Sequence, residues 1–269
     1  VYNKGNHKEM DYKQTSKQAR LNILDLIYKA QTSHIGSNFS CVDIMNVLFD
    51  KIDLDKDKFI LSKGWAAATL YYFLYKKGRI PREDLDSYCQ PGSKFIGLAE
   101  PIHRDIPFAG GSIGMGLSAG VGFALSKQLN GEHGKIYVLE SDGGMQCGIN
   151  WEAIAFAAHH KLNNLVLIID DNGLQAMGKV KDIFGRNNFI GKFTAFGWDY
   201  WMVDGHDFNQ LDSVFTHLNR SENQTRPLVI LASTIKGKGV SFMENENLYH
   251  YKQLSAEEYK LAEEELCKE

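Results

Sequence analysis

Asp142 and Asn172 are the side chains of this sequence whose types and spacing most invite chemistry. They stand thirty positions apart. Each follows a short apolar run: Lys135–Leu139 leads into Glu140-Ser141-Asp142-Gly143-Gly144, and Leu165–Ile169 leads into Asp170-Asp171-Asn172-Gly173. Between the runs, Trp151–Lys161 has helical spacing, with Trp151, Ile154, Ala155 and Ala158 on one face. Strand, helix and strand over that length form a βαβ unit with a right-handed crossover. Both strand ends then reach one rim of a parallel sheet, and Asp142 and Asn172 come together in the crevice where open α/β sheets bind ligands. One carboxylate, one amide oxygen and a backbone carbonyl make a poor cage for a bare ion. They suit Mg²⁺ that brings phosphate oxygens and water with it. Gly143 and Gly144 let the backbone approach a diphosphate closely. The competing reading is that glycines and polar residues close parallel strands as ordinary turns, with the aspartate as a helix cap.

The elements that must position this rim can be read along the chain. Residues 1–11 are polar and expected to be flexible. Tyr12–Ala30 is an amphipathic helix with Ala19, Ile23, Leu26, Ile27 and Ala30 on its apolar side. Thr32–Ser37 reads as a loop holding His34, followed by a helix from about Cys41 capped by Ser40. Phe59–Leu61 is a short strand, and Ser62-Lys63-Gly64-Trp65-Ala66 leads into a helix through about Tyr75. Pro81–Tyr88 is a short helix, and Gly110–Gly116 opens a helix to about Leu129. After the central unit come a strand over Ala195–Val203, a helix over Phe208–Leu218 and a strand over Leu228–Ala232. Ser255 and Glu258 have capping-box spacing and start a Glu-rich final helix. The alternation predicts an α/β fold: an open, mostly parallel sheet with helices on both faces.

Composition narrows the function classes. The 269 residues are 43% hydrophobic, enough for one large domain over 1–269 with a substantial core. A formal net charge of −3 without a basic stripe argues against nucleic acid. No apolar run nears the roughly twenty residues of a membrane span. Cys41, Cys89, Cys147 and Cys267 are scattered without a C-x-x-C pair, which favours free thiols and a cytoplasmic location. No signal peptide is visible, and Val1 in first place leaves room for a native start upstream.

Ser141-Asp142-Gly143 followed by Asn172 resembles the thiamine diphosphate motif, and Trp151-Glu152-Ala153 and Leu174-Gln175 fit beside it. With the other motifs in order from about Gln14 to about Tyr251, the chain resembles the N-terminal, diphosphate-binding domain of transketolase. The resemblance implies that domain's fold, thiamine diphosphate, and Mg²⁺ (or Ca²⁺ or Mn²⁺) held by Asp142, Asn172 and the Leu174 carbonyl. It implies cofactor contacts from His34, Trp65, Gly114, Met115, Gly143, Gly144, Glu152, Lys236 and His250, with His34 and His250 handling substrate protons and hydroxyls. Read on residue type alone, His34 is as well a surface or packing residue, Trp65 a core aromatic, Lys236 and Lys238 a solvated loop, and His206 a structural turn residue.

Three positions depart from the family pattern: Trp65 and Leu98 stand where transketolases carry histidine, and Cys147 stands at a glutamate position. Indole offers one N–H and no charge, so the Trp65 contact is weakened or replaced. His103, five residues beyond Leu98, is a candidate substitute. In transketolases the glutamate that activates the aminopyrimidine lies in a second, pyrimidine-binding domain. The resemblance therefore implies a partner chain carrying that domain, an α2β2 heterotetramer of the split-gene kind, sugar phosphate substrates and two-carbon ketol transfer. The alternatives are a related carboligase of a specialised pathway and a catalytically silent cofactor-binding subunit.

Overall fold

The computed structural model describes residues 11–185, 188–220 and 224–268. The segment expected to be flexible lies outside the described residues except for Asp11. That residue caps α1 (Tyr12–Ala30), accepting the Gln14 N–H at 3.0 Å. α2 (Ile35–Ser40) and α3 (Val42–Lys51) follow. They correct the sequence reading: His34 begins a helical turn, and Ser40 does not cap α3. Its hydroxyl goes to the Asp170 carboxylate at 2.6 Å instead. β1 (Lys58–Leu61) runs into a 3-10 turn and α4 (Ala67–Lys76), and α5 (Arg82–Asp86) starts after Pro81. Next come α6 (Met115–Asn130), β2 (Ile136–Ser141), α7 (Gly148–His159) and β3 (Leu165–Asp171).

A small antiparallel hairpin, β4 (Leu174–Gln175) with β5 (Gly178–Lys179), precedes α8 (Val180–Phe184) and α9 (Phe189–Ala195). β6 (Asp199–Asp204), α10 (Phe208–Arg220), β7 (Leu228–Ser233) and α11 (Ala256–Lys268) complete the chain. The strand expected over Ala195–Val203 is shifted: Ala195 ends a helix, Gly197 at φ +82° breaks it, and extension starts at Asp199. On α7 the buried face is Ala153, Ile154 and Ala157, whereas Ala155 is exposed. An apolar residue on nearly every turn position hid the true stripe. The capping box of α11 forms as read, Glu258 N–H donating to Ser255 Oγ at 3.2 Å and Ser255 N–H to Glu258 Oε2 at 3.0 Å.

The five long strands form one parallel sheet in the order β1-β2-β3-β7-β6. Side chains alternate across it, as the two-residue period of a strand requires. Phe59, Leu61, Tyr137, Leu139, Val166 and Ile168 face a core shared with α1, α3, α4 and α10. Ile60, Ile136, Val138, Leu165, Leu167 and Ile169 face a second core beneath α6, α7 and α9. Helices thus cover both faces, and the strands' carboxyl ends share one rim. The register pairs Ser141 with Asp170, so the residues just past β2 sit beside the end of β3.

Candidate active site

Three carboxylates crowd the tips of β2 and β3. Asp170 faces inward and is fully buried. It accepts from Ser40, Thr234 and Lys63, the last an ion pair buried on both sides. Burial alone would raise the Asp170 carboxyl, but Lys63 and the hydroxyls hold it below the usual range. Asp142, also buried, receives the Gly143 N–H at 2.8 Å and the Gly173 N–H at 2.6 Å. Among the described residues, no cation pairs with it. Burial first, then Asp171 and Asp170, push its carboxyl well up, and Asp171 is raised as well by burial and Asp170. Asn172 stands next in line, its Oδ1 taking the Leu174 N–H at 3.1 Å.

A hard divalent cation fits this donor set. It would relieve the Asp142–Asp171 repulsion and find oxygens at Asp142, Asn172 and the Leu174 carbonyl. Among the described residues there is no cluster of three or more His, Cys, Asp or Glu side chains spaced for a metal, so other ligands would have to complete the sphere. The turn after β2 is packed too closely for side chains at its glycines: a Cβ on Gly144 would lie 2.2 Å from Glu140 Oε1, and one on Gly143 2.8 Å from Gln175 Cβ.

Opposite this edge, across a cavity of about 250 Å³, stand two imidazoles. The rings of His34 and His250 meet edge to face at 5.0 Å between centroids. Burial, with Lys236 adding to it, lowers His34 to about 4, and burial, Lys236 and His34 lower His250 to about 3. Both are therefore neutral near pH 7. Lys236 is buried, its Nζ 2.9 Å from His250 Nδ1, and burial with the nearby Lys63 lowers it to about 8. A protonated Lys236 can only donate, so His250 Nδ1 accepts and its proton resides on Nε2. Ser33 Oγ engages His34 Nδ1 at 2.8 Å. In each ring, Nε2 is the nitrogen left for a ligand.

The third wall is apolar. Trp65, Leu98 and Gly111 line it, and each adjoins one member of a backbone junction. Gly64 N–H donates to Gly110 O at 3.0 Å, Ala99 N–H to Gly64 O at 2.9 Å, and Gly110 N–H to Ala99 O at 2.8 Å. The chains touch so closely that a Cβ on Gly64 would lie 2.3 Å from the Gly110 carbonyl.

Of the residues singled out in the sequence, the cavity wall gathers His34, Trp65, Gly143, Gly144, Asn172, Leu174 and His250. Asp142 lines an adjoining cleft with Asn172 and Leu174, and Lys236 sits behind His250. Gly114, Met115 and Glu152 are not among the lining residues: Gly114 starts α6 in the left-handed region at φ +82°, Met115 is 37% exposed, and Glu152 is exposed on α7. His103 turns to its own neighbourhood, accepting the Asp105 N–H at 3.2 Å, and does not reach the cavity wall beside Leu98. Cys147 is a free thiol raised by burial and then by Glu140, unsuited to act as a nucleophile. The solvated-loop reading fails for Lys236 and holds better for Lys238, which pairs with Glu244 at 3.2 Å.

Sequence reasoning missed Ser37 and Lys63, which line the cavity and are joined by a hydrogen bond from Lys63 Nζ to the Ser37 carbonyl at 2.9 Å, and Asp170, which pairs with Lys63 behind it. The signal was there: two consecutive acids at the end of a buried strand point to opposite sides, and the inward one demands a cation.

Such a sheet, with acid-bearing strand tips facing neutral imidazoles across a cleft, is a ligand-binding α/β domain. The family model described as "Transketolase, thiamine diphosphate binding domain" matches residues 12–269, and the chain belongs to that family. It is 32% identical to an apulose-4-phosphate transketolase subunit of Phocaeicola vulgatus over 93% of this chain and 92% of that one. To the 6-deoxy-6-sulfo-D-fructose transketolase subunit SqwG of Clostridium sp. (strain MSTE9) it is 33% identical, over 97% and 98%. Among solved structures, the transketolase of Campylobacter jejuni superposes with a TM-score of 0.86 at 30% identity. That match covers 96% of this chain and 43% of the other, so the chain spans less than half of the solved transketolase.

Proposed function

We propose that this chain is the thiamine diphosphate-binding subunit of a two-subunit transketolase, acting with a partner that carries the pyrimidine-binding domain and its activating glutamate. The holoenzyme transfers a two-carbon ketol unit from a ketose to an aldose. The observation that carries the reading is the uncompensated Asp142 carboxylate in a cleft shared with Asn172, which in turn lines the small cavity faced by two neutral histidines. Two relatives named as transketolase subunits, matched nearly end to end, support the division of labour. Their names specify a ketose phosphate and a sulfo-ketose, and a ketose with a terminal anionic group, most simply a phosphate, is the donor class proposed here.

Thiamine diphosphate, when bound, supplies the electron sink for the carbanion that ketol transfer requires. Asp142, Asn172 and the Leu174 carbonyl would hold Mg²⁺, and Gly143 and Gly144 would admit the diphosphate. His250, its Nδ1 occupied by Lys236, presents Nε2–H as a hydrogen-bond donor to a substrate oxygen. His34 Nε2 holds or moves a hydroxyl proton beside it. Trp65 and Leu98 exclude water from that side of the cavity and offer substrate hydroxyls almost no partner. Ile113 and Tyr251, 52% and 61% exposed at the cavity wall, are apolar surface suited to a covering partner. An α2β2 assembly, a cytoplasmic location consistent with four free cysteines, and one cofactor-binding unit over 1–269 belong to the same reading.

The test mixes the chain with a polypeptide bearing the pyrimidine-binding domain, thiamine diphosphate, Mg²⁺, a ketose phosphate and an aldose. Ketol transfer that disappears with Asp142→Ala is the expected result. Assembly and cofactor binding without turnover would instead establish a silent subunit, and a related carboligase would show itself by a different acceptor class.

A further inference from the structure

Three polar residues outside the cavity are unexplained by the reaction. Arg20 on α1, Asp43 on α3 and His206 after β6 meet under the loop that carries Lys236. Arg20 and Asp43 are buried, and their ion pair is bidentate at 2.9 and 2.7 Å. The same carboxylate engages His206 Nδ1 at 2.7 Å. Burial would raise the Asp43 carboxyl, but Arg20 and His206 hold it far below the usual range. With Nδ1 donating to Asp43, His206 Nε2 is an acceptor, and it takes the Ile235 N–H at 2.9 Å. Arg20 still has Nε, which donates to the Lys238 carbonyl at 3.0 Å.

One carboxylate therefore orients two cations or donors, and each of these grips the backbone on one side of Lys236: at the residue before it and at the second residue after it. Between the grips the loop is pinned once more, by Gly237 N–H on Gly36 O at 3.0 Å. Gly237 is at φ +80°, where a Cβ would lie 2.3 Å from the Met243 carbonyl. A loop held at both shoulders cannot let its central side chain wander, which is what a buried lysine aimed at one ring nitrogen needs.

We propose that Arg20, Asp43 and His206 are positioning residues that hold Lys236 against His250 and thereby fix the His250 proton on Nε2. None of the three lines the cavity. Their role for catalysis rests on the reading of Lys236 and His250 given above, whereas their effect on the His250 tautomer does not.

The experiment is ¹⁵N spectroscopy of the full chain with labelled histidine, His250 being assigned from a His250→Gln variant. In the parent chain the two His250 ring nitrogens should resonate far apart, as in one neutral tautomer. His206→Phe fills the same space but removes both hydrogen bonds. Arg20→Lys keeps the charge beside Asp43 but cannot make the bidentate pair and also reach Lys238 O, and serves if His206→Phe does not fold. The expected result is that either variant draws the two signals together, as Lys236→Met does. Unchanged His250 signals in a folded variant would overturn the proposal, even if its melting temperature had dropped, because that would mark a merely structural role. Altered signals without any change in ketol transfer would leave the positioning role standing and count against the functional reading.

Discussion

Asp142 Oδ2 accepts the backbone N–H of Gly173 at 2.6 Å, so the turn after β2 and the turn after β3 are joined through the very carboxylate that the functional reading gives to the metal. The joint places the two turns without help from any ligand. It also means that a change at Asp142 is felt on both sides of the crevice.

Asp142→Ala removes the charge and both backbone hydrogen bonds, and affinity for thiamine diphosphate in the presence of Mg²⁺ should fall at least tenfold. Loss of a hydrogen bond to a charged group is worth about 1.5–3 kcal/mol, and a metal ligand is lost with it. Titration calorimetry with Mg²⁺ and with a chelator measures it. Mg²⁺ and cofactor together should raise the parent's melting temperature and leave that of the variant unmoved. Equal binding by both chains would remove Asp142 from the metal site.

Histidine burial sets an acid limit. His34 is lowered from 6.5 to about 4 and His250 from 6.5 to about 3, so below pH 6.5 the unfolded chain binds protons that the folded chain refuses. Stability therefore falls as pH drops from 6.5 toward 4. His34→Gln should flatten the slope of unfolding free energy against pH in that window by roughly one proton. Urea titrations at several pH values report it, and an unaltered slope would show that His34 is not held neutral by its surroundings.

Lys236 makes the opposite end of the range distinctive. Burial and Lys63 bring it from 10.5 to about 8, so between those values the unfolded chain again holds the extra proton. Stability contributed through this group rises with pH across that window. Lys236→Met should abolish that rise and stabilise the unliganded chain at pH 7. Parallel melting curves at pH 7 and pH 9.5 distinguish it from a lysine that titrates normally.

Gly110→Ala should be among the most damaging single-methyl changes in the chain. The new Cβ would sit 2.2 Å from the Leu61 carbonyl and 2.8 Å from Gly64 Cα, both of them backbone. Backbone cannot swing aside as a flexible side chain can, and a loss on the order of 3 kcal/mol is expected. Chemical denaturation measures it. A loss below about 1 kcal/mol would show that the junction is looser than its contacts imply.

Ile113→Glu combined with Tyr251→Glu should leave the chain folded and prevent its stable association with the partner. Both side chains are mostly exposed, so the free chain should tolerate the charges, whereas an apolar interface would have to bury them. Sedimentation of the mixed polypeptides reads the outcome, and normal assembly would locate the interface elsewhere.

The strands and their order along the chain were largely legible because a buried parallel strand is a continuous apolar run with few rivals. α1 was legible to the residue because its apolar stripe of Ala19, Ile23, Leu26, Ile27 and Ala30 keeps helical spacing within Tyr12–Ala30. Where apolar residues occupy every face, periodicity carries no phase, and the buried stripe of α7 was misplaced for that reason. α9 was hidden because aromatic residues such as Phe189, Phe193 and Phe196 suit strand and helix alike until Gly197 imposes the break. The site was half legible. Asp142 and Asn172 stand out at strand ends, but Lys63, Asp170 and the role of Lys236 depend on pairings across 107 and 14 positions that no local pattern records.

The junction of Gly64, Ala99 and Gly110 has a consequence for how the cavity changes shape. Residues 65 to 109 leave and return through a single stitch, so Trp65, Leu98 and Gly111 are three threads of one seam. Loosening the seam anywhere would shift all three together and enlarge the chamber at one stroke. Tightening it would shrink the chamber as a whole. A sequence exploring new sugars by exchanging Trp65 alone would keep the seam, and with it the outline in which any replacement must fit.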